Sequence, residues 1–191
     1  MRQANPEDKP HIIKTIAAAF KDNKSTNYVI RQDTRTPSRL TELVNYCYQL
    51  CHQFGHVWVS DDGKACAMVM LPHQKKTTFN TIGLDIRLAT RAIGLSRVGK
   101  VMSREAVIKK EHPVTPFAYL WYIGTAPHVQ RKGSGTTLLQ EIISFYTTLN
   151  LPLYLETSTE HNLPWYQKHG FEIYHTIDFG FTFYMLRRAV R

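Results

Sequence analysis

A chain of 191 residues with 43% hydrophobic residues suits one domain with a core of its own. Its 24 Lys and Arg against 15 Asp and Glu give a net charge of +9, which fits an anionic partner such as a nucleotide, a nucleic acid, an acidic peptide or a membrane surface without choosing among them. Cys47, Cys51 and Cys66 form no even-numbered framework and no metal-like cluster, so zinc is not indicated, and the charged "MRQANPEDKPHIIK" start lacks the apolar run of a signal or anchor; both point to a reduced, cytoplasmic setting.

In chain order, Asn5-Pro6-Glu7-Asp8 reads as a helix start, with Asn5 as cap, Pro6 at the first helical position and acids in the first turn. Ile12, Ile13, Ile16, Ala19 and Phe20 follow at helical spacing. A second helix is expected from Pro37 to Phe54, where Leu40, Leu43, Val44, Cys47, Leu50 and Cys51 form one apolar stripe. His56–Ser60 and Lys64–Leu71 flank Asp61-Asp62-Gly63, a hairpin signal, because Asp-Gly supplies the positive φ of a tight turn. Residues 77–110 read as a helical insertion broken near Gly94 and Gly99. Its Arg87, Arg91, Arg97, Lys100, Arg104, Lys109 and Lys110 fit a solvated face, or else a contact surface for an acidic ligand.

"FAYLWYIGT" (117–125) is apolar on both alternating faces, as a strand covered on both sides would be. After a loop, Leu138, Leu139, Ile142, Ile143, Tyr146 and Leu149 mark a helix, and Leu151–Glu156 a short strand. A short helix at Leu163–His169 ends at Gly170, and two further strands, Phe171–Ile177 and Phe181–Leu186, meet around Asp178-Phe179-Gly180.

The loop "QRKGSG" decides the chemistry. It lacks the spacing of a Walker loop, and the position where a dinucleotide fingerprint needs its third glycine holds Leu138. Gln130, Arg131, Lys132, Gly133, Ser134 and Gly135 instead match a Q/R-x-x-G-x-G/A pattern between an apolar strand and a helix. A bare backbone opening a helix can hold phosphate oxygens with its amides, aided by the helix dipole and by nearby bases. With this loop and the block "YLETSTEHNLPWYQKHGFE", where Glu156, Asn162, Tyr166, Gly170 and Phe171 fall on the corresponding positions, the chain resembles the GNAT superfamily of acetyl-CoA-dependent N-acetyltransferases. The resemblance is clearest over 118–180. It implies a single GNAT-like domain over 1–191 of mixed α/β (α+β) class, with a mostly antiparallel central sheet, helices on both faces, and "MRQA" as a clipped first strand.

The same resemblance implies that acetyl-CoA is the acyl donor, with its pyrophosphate on the 130–135 loop and its pantetheine arm along Ile123, Gly124 and Thr125, where a backbone N–H polarises the thioester. It also implies Tyr166 as the acid that protonates the leaving thiolate, the alternative being an aromatic packed beside Trp165, and a cofactor contact for Asn162, which can also cap the helix before Pro164. Glu156 could draw the proton from an ammonium acceptor, directly or through water, or else pair with a surface base. His112 could serve as that base, since imidazole titrates near neutral pH. No cysteine stands near these blocks, which favours direct transfer in a ternary complex. The expected acceptor is a primary amine of a small molecule or peptide. Another acyl-CoA or a hydroxyl acceptor, or a basic nucleic-acid-binding module, are the competing readings; no nucleic acid or membrane partner is expected, and the chain would act as a monomer or homodimer.

Overall fold

The computed structural model describes residues 1–127 and 132–190. Its strands are β1 (Arg2–Gln3), β2 (Gly55–Val59), β3 (Ala65–Met70), β4 (Ala118–Thr125), β5 (Leu153–Thr157), β6 (Glu172–Asp178) and β7 (Thr182–Arg188). Its α-helices are α1 (Lys9–Phe20), α2 (Lys24–Val29), α3 (Thr36–Phe54), α4 (Phe79–Leu88), α5 (Val98–Glu111), α6 (Ser134–Thr148) and α7 (Leu163–Lys168). The strands form one sheet in the order β1-β2-β3-β4-β5-β7-β6. Every neighbouring pair is antiparallel except β4 and β5.

Both faces of this sheet are covered, and the alternation of β3 shows it. Cys66, Met68 and Met70 point into a core shared with Ile12 and Ile16 of α1 and Val44, Cys47, Leu50 and Cys51 of α3. Ala67 and Val69 point the other way, into a core with Leu138, Leu139, Ile142 and Tyr146 of α6. A strand buried on both faces reads as a continuous apolar run, which is why "ACAMVM" carries no polar residue. Each fully buried Leu or Ile in these stripes contributes about 1.5–3 kcal/mol.

The Asp61-Asp62-Gly63 hairpin and α3 lie within a residue or two of where the sequence places them. Three local readings change. The chain after Asn5 first forms a 3-10 turn, Pro6–Asp8, and the Asn5 N–H donates to the Asp8 carboxylate at 2.7 Å before α1 begins at Lys9. Gly99 does not break the helical segment but lies inside α5; the break is at Gly94, whose φ of +83° follows a π-helical turn at Ala89–Ile93. Helix α2 is additional: the Asn23 side chain accepts from the Thr26 N–H at 3.0 Å, and six residues are too few to show a helical period.

The basic residues of the α4–α5 segment are not a uniformly solvated face. Arg87 pairs with Glu42 of α3 at 2.7 Å, and Arg97 donates to the Tyr28 carbonyl at 2.6 Å. Arg104 is buried, with its guanidinium against the rings of Tyr28, Phe179 and Phe183 and a 2.6 Å bond to the Ser25 hydroxyl. These contacts hold α5 over the sheet.

Candidate active site

The site grows from the one parallel pairing. β4 and β5 are bridged only at Ala118–Leu153 and Tyr119–Tyr154, at the start of both strands. Beyond that point they part, so the rest of each strand lacks a sheet partner on the side facing the other. β4 also carries a bulge, because Met68 of β3 faces Tyr122 while the next residue, Val69, faces Leu120. The extra residue, Trp121, breaks the in-out alternation. The rings of Trp121 and Tyr122 consequently stack, with interplanar angle 22°.

A cavity of about 360 Å³ lies over this opening. Its walls include Leu120, Trp121, Tyr122 and Ile123 of β4, Glu156 and Thr157 of β5, Asn162 and Tyr166 around the start of α7, and a stripe of α5 made of Val101, Arg104, Glu105 and Ile108. Positions 101, 104, 105 and 108 share one helical face, so α5 presents a continuous wall.

Glu156 is the most constrained polar group there. Its side chain is only 3% exposed, its Oε1 lies 2.6 Å from His112 Nε2, and its Oε2 accepts from the Tyr119 hydroxyl. His112 sits at the C-terminal end of α5 with its ring edge-on to Phe117. The carboxylate can only accept, so Nε2–H is the donor in this bond. The two groups that the sequence offers as alternative bases are therefore one hydrogen-bonded pair. Glu156 lines the cavity and His112, which does not, stands behind it; among the described residues Glu156 pairs with no surface Lys or Arg. Tyr119 is the member of the trio without a motif to announce it, although its place next to the parallel bridge is fixed by "FAYLW". Burial, followed by the Glu156 charge, pushes the Tyr119 hydroxyl well above the ordinary phenol range, so it remains a donor.

Tyr166 is the packed aromatic of one reading and also lines the cavity, where the other reading needs it. The ring packs against Trp165 at 4.8 Å between centroids and against Phe171 at 5.8 Å, while the residue lines the cavity. Burial raises its hydroxyl above the ordinary value and keeps it protonated. Asn162 makes no side-chain cap bond to α7, so the capping role falls away and its amide is left at the cavity wall.

Of the loop residues, Gln130 and Arg131 lie outside the described residues. Lys132 is exposed. Gly133 precedes α6 with a φ of +90°, a conformation that favours glycine. Gly135 has φ in the ordinary helical range, and a Cβ there would meet only Thr125 Cγ2 at an ordinary 3.6 Å. Internal packing does not demand a glycine at 135. The first turn of α6 offers leading amides with no intrahelical acceptor, a fit for a pyrophosphate. The Ser134 hydroxyl donates to Asp62 at 2.6 Å, which ties the turn to the β2–β3 hairpin and holds the Asp62 carboxyl at about 2. Gly124 is a packing glycine, since a Cβ would approach Ala19 at 3.2 Å and Ile16 at 3.3 Å on α1; its backbone, with those of Ile123 and Thr125, lies in the part of β4 that has left β5.

The cysteines take no part in this site. All three are buried free thiols, and burial pushes Cys66 up to about 12 and Cys51 and Cys47 higher still.

Solved structures share this architecture. The Corynebacterium glutamicum protein described as histone acetyltransferase HPA2 and related acetyltransferase superposes with a TM-score of 0.69 at 17% identity, over 98% of this chain and 94% of that one. Arylalkylamine N-acetyltransferase 2 from Aedes aegypti gives 0.66 at 10% identity, over 100% and 98%. The C-terminal condensation domain of Ebony, in complex with beta-alanyl-dopamine, gives 0.71 at 8% identity, over 98% and 96%. At these identities the likeness is one of fold. The model of the Acetyltransferase (GNAT) family matches residues 18–171, from the last turn of α1 to Phe171. That span takes in the strands that part, the turn that opens α6 and the Tyr166 helix, and by it the chain belongs to the GNAT acetyltransferase family and is an acyltransferase.

Proposed function

We propose that the protein transfers the acetyl group of acetyl-CoA to a primary amine, directly, with both substrates bound. The observation that carries this reading is the Glu156 carboxylate, held by His112 and Tyr119 at the wall of a cavity that opens where β4 leaves β5. The family uses acetyl-CoA, which supplies an activated acyl thioester and a thiolate leaving group. The amides at Gly133–Gly135 and Lys132 would hold its pyrophosphate, Asn162 and the freed edge of β4 at Ile123–Thr125 its pantetheine arm.

The protein's own groups then divide the proton traffic. Glu156 has each oxygen engaged once, and a carboxylate oxygen can accept a second bond, so an ammonium can dock and give up its proton there. His112 and Tyr119 fix the carboxylate's orientation while this happens. The Tyr166 hydroxyl, kept protonated by burial, is the donor for the departing sulfur. Backbone N–H groups on the open edge of β4 are the candidates for polarising the acyl oxygen, a role in which one donor is worth about 3–4 kcal/mol. Glu156 on β5 and Tyr166 on α7, a base and an acid lining one cavity, suit direct transfer, and the inert thiols suit it as well.

The test is thiol release from acetyl-CoA in the presence of amines, with kcat/KM followed from about pH 5.5 to about pH 9. In the wild type kcat/KM is expected to rise with pH through a limb, because an ammonium acceptor must give up its proton to a base. Glu156→Gln removes this limb and lowers the rate. His112→Ala takes away a hydrogen bond that orients the carboxylate, so the rate falls, but by less than in Glu156→Gln. An unchanged profile in Glu156→Gln would overturn the assignment of the base.

A further inference from the structure

The segment 75–114 joins two features that an ordinary solvated surface keeps apart. It holds nine Lys and Arg against three Asp and Glu, whereas the rest of the chain has fifteen against twelve, so most of the positive excess sits in this one stretch. It also holds seven of the nine large apolar side chains that stand exposed among the described residues.

Helix α4 lies on α3 through Leu84 and Leu88, which pack against the core there, and through Asp85, which accepts from the Tyr46 hydroxyl at 2.7 Å. Phe79, Ile82 and Ile86 recur at i, i+3 and i+7 on the face turned from α3, and Phe79 is 96% exposed and Ile86 60%. A helix that had only to close the core would carry polar residues on that face. Leu95 before α5 and Met102 on it are exposed as well. The charges follow the same pattern. Asp85, Glu105 and Glu111 each have a partner, in Tyr46, Arg104 and His175. Lys75, Lys76, Lys100, Lys109 and Lys110 are exposed and make no ion pair among the described residues, where the lysine pairs are Lys21–Asp22 and Lys64–Asp62. Leu88 of α4 with Lys75 before it, and Val101 and Glu105 of α5, all line the cavity, so this surface is the one around the candidate site.

We propose that the segment 75–114 is a docking surface for an anionic lipid bilayer, with Phe79 and Ile86 entering the headgroup layer and the five lysines meeting its phosphates and carboxylates. Exposed apolar side chains set among lysines are what an interfacial helix presents to such a layer. Charge decides against a second copy, since pairing two of these surfaces sets five lysines against five. The apolar side chains are spread over α4, the turn at Leu95 and α5, and a fluid headgroup layer takes scattered insertions without the matching relief that a rigid acidic protein would need. Aliphatic side chains have no stacking role toward nucleic acid bases. No helix among the described residues is long and apolar enough to cross a membrane, so the contact is peripheral. A bilayer partner departs from the expectation drawn from sequence, and lipid binding needs no acyl donor, so it is independent of the acetyl-transfer reading.

The experiment is sedimentation of the protein with vesicles of phosphatidylcholine alone or with about 30% phosphatidylserine, which supplies the anionic surface. The protein should partition onto the phosphatidylserine vesicles at about 0.1 M salt, and about 10-fold less onto phosphatidylcholine or at about 0.5 M salt, where charges are screened over a shorter distance. Phe79→Ser with Ile86→Ser should weaken partition about 10-fold, as apolar area is withdrawn from the headgroup layer, without lowering the melting temperature, because both side chains are exposed. Lys76→Gln with Lys110→Gln should cost roughly fivefold per lysine, while Lys64→Gln with Lys168→Gln, an equal change in net charge outside the segment, should cost less than about twofold. No partition onto phosphatidylserine vesicles, equal losses in the two lysine pairs, or unaltered partition in the Phe79, Ile86 variant each overturns the docking surface. So does a dimer in light scattering that the same variant dissociates, or a DNA duplex bound with the same dependence on Phe79, since either names another occupant.

Discussion

The Tyr166 hydroxyl occupies a position in which removing one oxygen separates chemistry from packing. Its ring is held by Trp165 and Phe171, and Phe at 166 keeps both contacts. Tyr166→Phe should therefore fold normally, bind acetyl-CoA with little change, and lose on the order of 10- to 1,000-fold in kcat, as expected for an acid that acts in the transition state. Full turnover with a good amine would reduce Tyr166 to a packing residue. Among the side chains at the site, those in dense motifs could be read in advance: Glu156, Asn162 and Tyr166 all fall in one block of the sequence and all reach the cavity. His112 was legible as a titratable group but not as the partner of Glu156, because 44 residues separate them and only the parallel bridge brings them together. Tyr119, Arg104 and Glu105 were not legible as site residues. A tyrosine in a strand and an Arg-Glu pair in a basic helix look like core and surface until the bulge in β4 and the seat of α5 are known.

On the proposed reading, the first turn of α6 is the element that holds the cofactor's pyrophosphate. Gly135 lies in the first turn of α6 with no internal contact tighter than 3.6 Å waiting for a Cβ. Gly135→Ala should leave the melting temperature unchanged or raise it, since Ala is favoured over Gly in a helix by up to about 1 kcal/mol. Gly135→Val, with its branched carbon over the leading amides, should weaken acetyl-CoA binding by about 10-fold or more, or roughly 1.4 kcal/mol, in calorimetry on the folded variant. Unchanged affinity would move the pyrophosphate off this turn. Long elements with strong periods, such as α3 and α6, and the Asp-Gly hairpin could be placed from sequence because local chemistry decides them. α2 could not, being six residues held by Asn23, and neither could the helical state of Gly99, an exposed position in the first turn of α5 where a glycine costs only about 1 kcal/mol.

The net charge of +9 suggested a surface for an anion, and the pairing pattern shows how selectively that charge is tied down. Arg2 with Asp8, Arg39 with Asp33, Arg87 with Glu42 and Arg187 with Glu172 spend arginines on local carboxylates. Arg39 is buried, while the other three pairs are exposed and stabilise little, about 0–1 kcal/mol each; the excess that remains produces a positive field that favours approach of a phosphate-bearing substrate.

The short bridge between β4 and β5 has a mechanical side. Two residue pairs, Ala118–Leu153 and Tyr119–Tyr154, are all that bind the β1–β4 slab to the β5–β7 slab through the sheet. Past them runs a seam lined by backbone amides with no strand opposite, so in the free protein these amides should trade hydrogen for deuterium readily while those facing β3 and β7 stay protected. An extended pantetheine arm laid in the seam would act as the missing thread. Saturating acetyl-CoA should then slow exchange at 120–125 and 155–157 more than in β2 or β6, and mass spectrometry of short peptides would locate the effect. Exchange that stays fast along both margins would mean the two slabs remain unstitched, with the arm bound elsewhere.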